Sequence, residues 1–203
     1  MTRIIATIIF ILTVSVLTAQ TKDKTIFVGD VISDTTTFRH NGYRTGLTSI
    51  LKSKNKVEIR FITSPSSESQ EYPNYTILTF NKKWSAKYYY FKVDTDSLLS
   101  KSINGEIDID TIFSRLVSNN IFSLPDQNRL RTEKYEYNPE TNEFIGYGMK
   151  TADGTCYYIE YKVGDFYRRY SFCNPDNYAD FYPQVYELRK FANIVEIFTE
   201  WTK

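Results

Sequence analysis

Apolar and polar residues alternate along several short stretches of the chain, and this period of two predicts β-strands. In the clearest stretch, Val57, Ile59 and Phe61 are separated by single residues, as in a strand with one buried face. Further strands are predicted at 25–32, 75–80 and 87–93, and a four-strand meander at about 130–137, 143–151, 155–163 and 166–173. Residues 33–56 show no readable pattern. We therefore expect a fold rich in sheet.

Two other stretches follow the helical period of 3.6 residues. Asp108 is a suitable N-cap for the first helix, and Asn119 and Asn120 are suited to end it in a left-handed conformation. The apolar positions of this helix share one face and are Ile109, Ile112, Phe113, Leu116 and Val117. A longer C-terminal helix is predicted from near Pro183, a good first helical residue. The predicted fold class is α+β: antiparallel meanders, one short central helix and one longer C-terminal helix packed on the sheet.

The two cysteines are predicted to form a structural disulfide. Gly164-Asp165 is a two-residue connection that favours a primed hairpin turn, and it sets Cys156 directly opposite Cys173. This is a non-hydrogen-bonded pair, whose Cα atoms lie ~4.5 Å apart, within the range that a disulfide tolerates. The alternative is a redox-active pair, but thiol oxidoreductases usually hold a close Cys-x-x-Cys spacing at the start of a helix.

The turn before this hairpin leaves two registers open. A two-residue Asp153-Gly154 turn sets Gly146 opposite the core-facing residue Tyr161. A three-residue turn with Gly154 in a left-handed bulge sets Ile145 opposite Tyr161 instead. Because the buried face determines register, we favour the bulged turn.

The N-terminal residues have the pattern of a cleaved signal peptide. Arg3 is followed by an uncharged run from Ile4 to Leu17, which is shorter than the ~20 residues that a membrane-spanning helix needs. We place cleavage after Ala19, so that 1–19 is removed and 20–203 is a single soluble domain, exported to the periplasm or secreted. A two-part organisation, 25–124 and 125–203, is the alternative.

Composition limits the classes of partner. Removing Arg3 with the signal peptide leaves 24 basic and 24 acidic residues, hence no net charge. Nucleic acid and anionic membranes would find no attractive field, so neither is expected as a partner. The 17 tyrosines and 14 phenylalanines suit strands that bury one side of a ring and leave a hydroxyl in water.

Residues that could support catalysis or hold a cofactor are scarce. His40 is the single histidine and lies in a polar region, where a solvated loop position explains it. With two paired cysteines it makes no zinc site. The acidic pairs at 94 and 96 and at 108 and 110 are interpreted as strand-end and helix-cap residues rather than calcium ligands. We assign no catalytic residue, metal or cofactor.

The segment 174–182 is the candidate binding surface, because it combines aromatic and amide side chains between the last hairpin and the last helix. Such residues are typical of recognition loops for proteins or glycans. The candidate residues are Asn174, Asp176, Asn177, Tyr178, Phe181 and Tyr182. The alternative, which we favour for the rings, is that they pack the start of the last helix. The aromatic cluster at 88–91 is likewise interpreted as strand packing.

Two functions fit these observations. The first is a noncatalytic exported protein that binds a protein or glycan, for example as an inhibitor or immunity factor. Scarce catalytic residue types favour it. The second is a carboxylate-dependent hydrolase of the cell envelope, which the 24 acidic residues permit without indicating it.

Overall fold

The computed structural model describes residues 39–40, 43–44, 47–65, 72–92, 97–103, 107–151 and 154–203. The chain divides into two units, Met1–Thr36 and Thr37–Lys203, and all described residues belong to the second. Several predicted features lie outside the described residues: the signal peptide at 1–19, the strand at 25–32, the acidic pair at 94 and 96, the side chain of His40, and Asp153.

The main element of the described chain is an antiparallel sheet of six strands. In chain order these strands are β3 (Val57–Ser64), β4 (Asn74–Phe80), β5 (Trp84–Lys92), β6 (Ser97–Ser102), β9 (Cys156–Val163) and β10 (Phe166–Cys173), and their order across the sheet is β10-β9-β3-β4-β5-β6. Two small ladders lie outside it, β1 (Arg39–His40) with β2 (Tyr43–Arg44), and β7 (Lys134–Asn138) with β8 (Glu143–Tyr147). The sequence pattern had not indicated β6.

In the described part of the chain, three α-helices accompany the sheet: α1 (Ile109–Ser118), α2 (Pro175–Phe181) and α3 (Tyr186–Thr202). The predicted α+β class is confirmed, as are the central helix after Asp108 and the C-terminal helix, although the latter begins at Tyr186 rather than near Pro183. Helix α2 was not predicted. Among the described helices, none is both long enough and apolar enough to cross a bilayer.

The core lies between one face of the sheet and the helices. Phe61 of β3 stacks on Phe198 of α3 with ring centroids 4.4 Å apart. Phe172 of β10 stacks on Phe191 of the same helix at 4.1 Å. β3 and β10 are not hydrogen-bonded to each other, because β9 lies between them. Packing of both rings against α3 therefore connects these two strands.

The chain after α1 seals the edge of this core. Asn120 has φ of 61°, the left-handed conformation predicted for the end of the helix. Ile121 beyond it is fully buried. Its carbonyl accepts a 2.6 Å hydrogen bond from the hydroxyl of Tyr170, and the carbonyl of Phe122 accepts one of the same length from Tyr161. Two strand tyrosines therefore bind the backbone of this segment.

The other face of β3 is also buried, which corrects the prediction of a strand with one buried face. Glu58 accepts hydrogen bonds from Ser53 and Asn55, so the residues before β3 lie against this face. Arg60 Nε donates to Glu58 Oε1 at 2.8 Å. The two charged side chains looked solvent-facing in the sequence, but they pair with each other under a covering segment.

The register of the last hairpin agrees with the turn analysis. In the β9–β10 ladder, Cys156 is paired with Cys173, as predicted, and the same register pairs Glu160 with Arg169. Gly164 has φ of 59°, which the first central position of a type II′ turn requires. The two sulfur atoms lie at disulfide distance, with Cα atoms 4.0 Å apart.

The predicted pairing of β8 with β9 is wrong. β9 lies between β3 and β10, whereas β8 pairs with β7. Gly154, expected in a left-handed bulge, has no positive φ. In the main sheet, beside β3, the side chains of β9 at 159–161 are buried, whereas most of those of β8 are exposed, so β9 gains from joining this sheet.

Candidate binding surface

The β7–β8 hairpin is a two-stranded sheet of its own, and its base is held by α2. The ring of Tyr147, at the end of β8, meets the ring of Phe181 edge-on with centroids 6.2 Å apart. Lys134, paired with Tyr147 across the hairpin, places its Nζ 4.5 Å from the centroid of the same Phe181 ring. A cation over an aromatic face is attracted by the ring quadrupole, so both strands are attached to α2 at this point.

Three aromatic side chains share one face of this hairpin and are exposed. Tyr135 and Tyr137 alternate along β7, and Phe144 is paired with Tyr137 across the ladder. Their exposed fractions are 60%, 52% and 71%, respectively. We call these three side chains the aromatic face. Soluble proteins rarely expose large apolar side chains side by side without a binding role.

Local contacts hold the rings of the aromatic face in position. The hydroxyl of Tyr135 donates to Glu133 at 2.6 Å, and that of Tyr137 donates to Asn142 at 2.8 Å. The hydrogen bond to Glu133 raises the pKa of Tyr135, because the carboxylate favours the protonated phenol. The two hydroxyls thus form hydrogen bonds within the chain, while the flat surfaces of the rings remain exposed.

Gly146 allows one of these rings to lie close against the ladder. It is paired with Tyr135, and a Cβ at Gly146 would lie 3.0 Å from Cε1 of that ring, a distance that real Cβ atoms rarely reach. A side chain at this position would push the ring outward. The glycine therefore shapes the aromatic face as well as the strand.

Segment 174–182, predicted as a recognition loop, is mainly helical. Pro175 suits the first turn of α2, because its missing N–H has no partner there. Asn174 precedes the helix with φ of 48° and donates from Nδ2 to Thr151 at 2.8 Å. Asp176 and Asn177 are exposed in the first turn. This arrangement corrects the loop prediction.

The aromatic residues of the segment pack inside the molecule, which is the role we favoured. Tyr182 is buried, and its hydroxyl accepts a 2.7 Å hydrogen bond from the backbone N–H of Met149. The half-buried Tyr178 donates to the carbonyl of Met149 at 3.2 Å. Phe181 packs against Tyr147 at the base of the β7–β8 hairpin. Tyr182 is therefore too buried to contact a partner, whereas Phe181 and Tyr178 support the hairpin and the strand end next to it.

The hairpin that α2 supports is therefore a second candidate surface, beside the exposed Asp176 and Asn177 of segment 174–182. Sequence reasoning missed it because 130–137 and 143–151 were placed within a continuous meander. One signal was present: charged residues recur throughout 129–143, at Arg129, Arg131, Glu133, Lys134, Glu136, Glu140 and Glu143. Charged residues at this density are mostly found exposed, so they favour a solvent-facing hairpin over a strand pair inside a sheet.

A second group of polar side chains lies on the covered face of the main sheet. Arg169, Glu160 and Arg60 occupy paired positions on β10, β9 and β3. Burial raises the pKa of Glu160, and the nearby guanidinium groups of Arg169 and Arg60 reduce the rise. Tyr167 donates a hydrogen bond to the same carboxyl, and burial raises the pKa of Tyr167 to about 12.

With Glu58 beside Arg60, this network contains two buried acids. Arg60 Nη2 lies 2.7 Å from Glu58 Oε1, and Arg169 Nε lies 3.8 Å from Glu160 Oε1. Each carboxyl therefore has a cationic neighbour, as expected of a buried ion network that compensates for lost solvation. A glutamate whose pKa is raised is also suited to general acid chemistry.

Among the described residues, no three His, Cys, Asp or Glu side chains lie close enough together to hold a metal ion. Comparison of the chain with protein-family models, with curated proteins and with solved structures yields no match.

Proposed function

We propose that this protein is an exported, noncatalytic binding protein and that it contacts its partner through the aromatic face of the β7–β8 hairpin. The observation that carries the proposal is the exposure of Tyr135, Tyr137 and Phe144 on one side of a hairpin anchored to the body of the protein. Tyrosine and phenylalanine provide large contact areas at low cost in side-chain entropy. Inhibitors and immunity factors belong to this class.

The charges around the aromatic face favour a protein partner with basic residues. Residues 133–143 contain four glutamates and one lysine, although the chain from residue 20 onward has no net charge. This local excess of acidic residues, with Glu133 beside the aromatic face and Glu136 and Glu143 on the opposite face of the hairpin, attracts a basic partner surface and repels anionic glycans. Binding is therefore expected to weaken as salt is added, since exposed charges are screened. A neutral glycan is the second partner class.

The test compares two exposed tyrosines. Tyr135 on the aromatic face and Tyr186 at the start of α3 are both 60% exposed. Purified wild-type protein, Tyr135→Ser and Tyr186→Ser are immobilised separately and exposed to envelope extract of the host. Retained proteins are identified by mass spectrometry and retained glycans by sugar analysis.

We expect one component to be retained by the wild type and by Tyr186→Ser but lost from Tyr135→Ser. Circular dichroism and thermal unfolding of each variant establish that the fold is unchanged. Equal retention by all three proteins would place the contact elsewhere, and retention of nothing by the wild type would argue against a binding function in this compartment.

The alternative proposal is a carboxylate-dependent hydrolase, and the raised pKa of the Glu160 carboxyl supports it. In this reading Glu160 acts as the general acid and Glu58 as its companion carboxylate. Release of sugars or peptides from purified envelope polymers by the wild type, with loss of release in Glu160→Gln at unchanged stability, would support it. No release by the wild type would leave the ion network with a structural role.

A further inference from the structure

The outer edge of the main sheet is protected at β10. The backbone N–H of Ser171 donates to Asp126 Oδ2 at 3.1 Å, and that of Cys173 donates to Gln127 Oε1 at 2.6 Å. These side chains occupy donors that would otherwise be available to another strand. Proteins commonly block exposed edges in this way, because an open edge is a template for pairing.

The outer edge of β8 has no such protection within the described chain. β8 pairs with β7 on one side, and no described strand pairs with it on the other. Its residues, Glu143–Tyr147, include neither proline nor lysine, which often protect edges, but they do include the exposed side chains Phe144 and Ile145. This short edge is open and partly apolar.

We propose that β8 pairs in antiparallel orientation with β8 of a second copy of the chain, about a two-fold axis at Ile145. The two hairpins then form one four-stranded sheet. In this register Ile145 lies opposite itself, Phe144 lies opposite Gly146 of the second copy, and Glu143 lies opposite Tyr147. Such an interface is isologous, since both copies contribute the same edge.

The side chains of the aromatic face fit this register. Gly146 has no side chain, and on its own chain it is flanked by the ring of Tyr135. The ring of Phe144 from the second copy would lie beside the same glycine from the opposite side. Large and small residues thus alternate across the new sheet, as good packing requires. The aromatic faces of the two copies become one continuous surface to which both contribute.

Repulsion between like charges disfavours pairing at the β7 edge and leaves the β8 edge as the better one. Pairing β7 with itself about its centre would place Glu136 opposite Glu136, and like charges directly opposite are destabilising. Pairing β8 about Ile145 separates the two Glu143 side chains by four residues along the strand, about 14 Å. That exceeds the Debye length of about 8 Å at physiological salt, so their repulsion is largely screened.

The test is the molecular mass of the purified protein by sedimentation velocity over a wide range of concentration. The wild type and Ile145→Val are expected to form dimers. Ile145→Lys is expected to raise the dimer dissociation constant about tenfold or more, because two lysines meet at the axis. Within its own chain the new lysine pairs with Glu136, which supports the hairpin fold.

A mixture of Ile145→Lys with the double variant Glu136→Lys and Ile145→Glu then tests the register, because opposite charges meet at the axis only in the mixed dimer, and the double variant keeps an oppositely charged pair within its own hairpin. Recovery of a dimer in the mixture, but not in Ile145→Lys alone, supports the proposal. A wild type that remains monomeric at every concentration would overturn it, as would a dimer that forms unchanged with Ile145→Lys. These measurements use the isolated protein, so their outcome does not depend on an external partner.

Discussion

Two of the antiparallel hairpins in the described chain, β7–β8 and β9–β10, are built from the same kinds of residue but differ in burial. In β9–β10, aromatic residues alternate with charged ones, and the hairpin is buried within the six-stranded sheet, with cysteine sulfurs at disulfide distance and a protected edge. In β7–β8 the alternation is similar, but the hairpin stands outside the main sheet and exposes its rings.

The difference lies in the neighbours rather than in the hairpins themselves. β9 pairs with β3, and α3 covers the rings of β10. β7 and β8 have each other and, at their base, one ring of α2. Alternation therefore determines which side chains share a face, whereas the rest of the fold determines whether that face is buried in the core or exposed.

The sharpest test of this comparison is the same substitution in both hairpins. Phe172→Ala removes a fully buried ring that stacks on Phe191, and we expect it to lower the free energy of unfolding by about 4 kcal/mol. Phe144→Ala removes an exposed ring, and we expect a change within about 0.5 kcal/mol. Urea unfolding followed by circular dichroism measures both. Equal losses would show that the β7–β8 hairpin is part of the core.

The cysteine pair of the buried hairpin gives the next largest effect. The double variant Cys156→Ser with Cys173→Ser is expected to lose about 3 kcal/mol, because the cross-link, at a sequence separation of 17, restricts the unfolded chain. Unfolding of the wild type with and without reductant should show the same loss. No difference between oxidised and reduced protein would contradict a stabilising disulfide.

A smaller contrast concerns the tyrosine hydroxyls. Tyr170→Phe removes a buried hydrogen bond to the carbonyl of Ile121 and leaves that carbonyl without this donor, so we expect a loss of about 1 kcal/mol. Tyr137→Phe removes an exposed hydrogen bond to Asn142 and is expected to cost less than about 0.5 kcal/mol. Thermal unfolding distinguishes the two, and a larger loss in Tyr137→Phe would reverse the comparison.

The weakest expected effect is a pH dependence of the β9–β10 hairpin. Burial raises the folded-state pKa of Glu160 above the ordinary value of 4.5. A raised pKa means that the folded state binds the proton more tightly, so this contribution to stability is full below 4.5 and is lost as pH rises through the folded-state pKa. The wild type should therefore lose stability relative to Glu160→Gln between acid and neutral pH.

Parallel urea titrations at acid and neutral pH measure this difference. Glu143→Gln, which changes an exposed glutamate of β8, serves as the control. A constant difference between the wild type and Glu160→Gln across this pH range would contradict the assigned effect of burial on Glu160.

Prediction from sequence succeeded where structure depends on close neighbours. Asp108 marked the start of α1, Gly164-Asp165 set the register of β9 and β10, and that register brought the two cysteines together. It failed where distant segments compete. The pairing of β9 with β3 joins strands about a hundred residues apart, and nothing in the turn at Gly154 indicates it. The separation of β7 and β8 from the main sheet was missed for the same reason.

The sequence by itself determined the α+β class, most of the strands, the central and C-terminal helices and the facing cysteines, because periodicity, capping and turn geometry act over a few residues. Only the tertiary structure decided that Glu58 and Arg60 are buried and that Tyr135, Tyr137 and Phe144 are exposed. Burial depends on which segments cover a face, and that is settled by the total area removed from water across the whole fold.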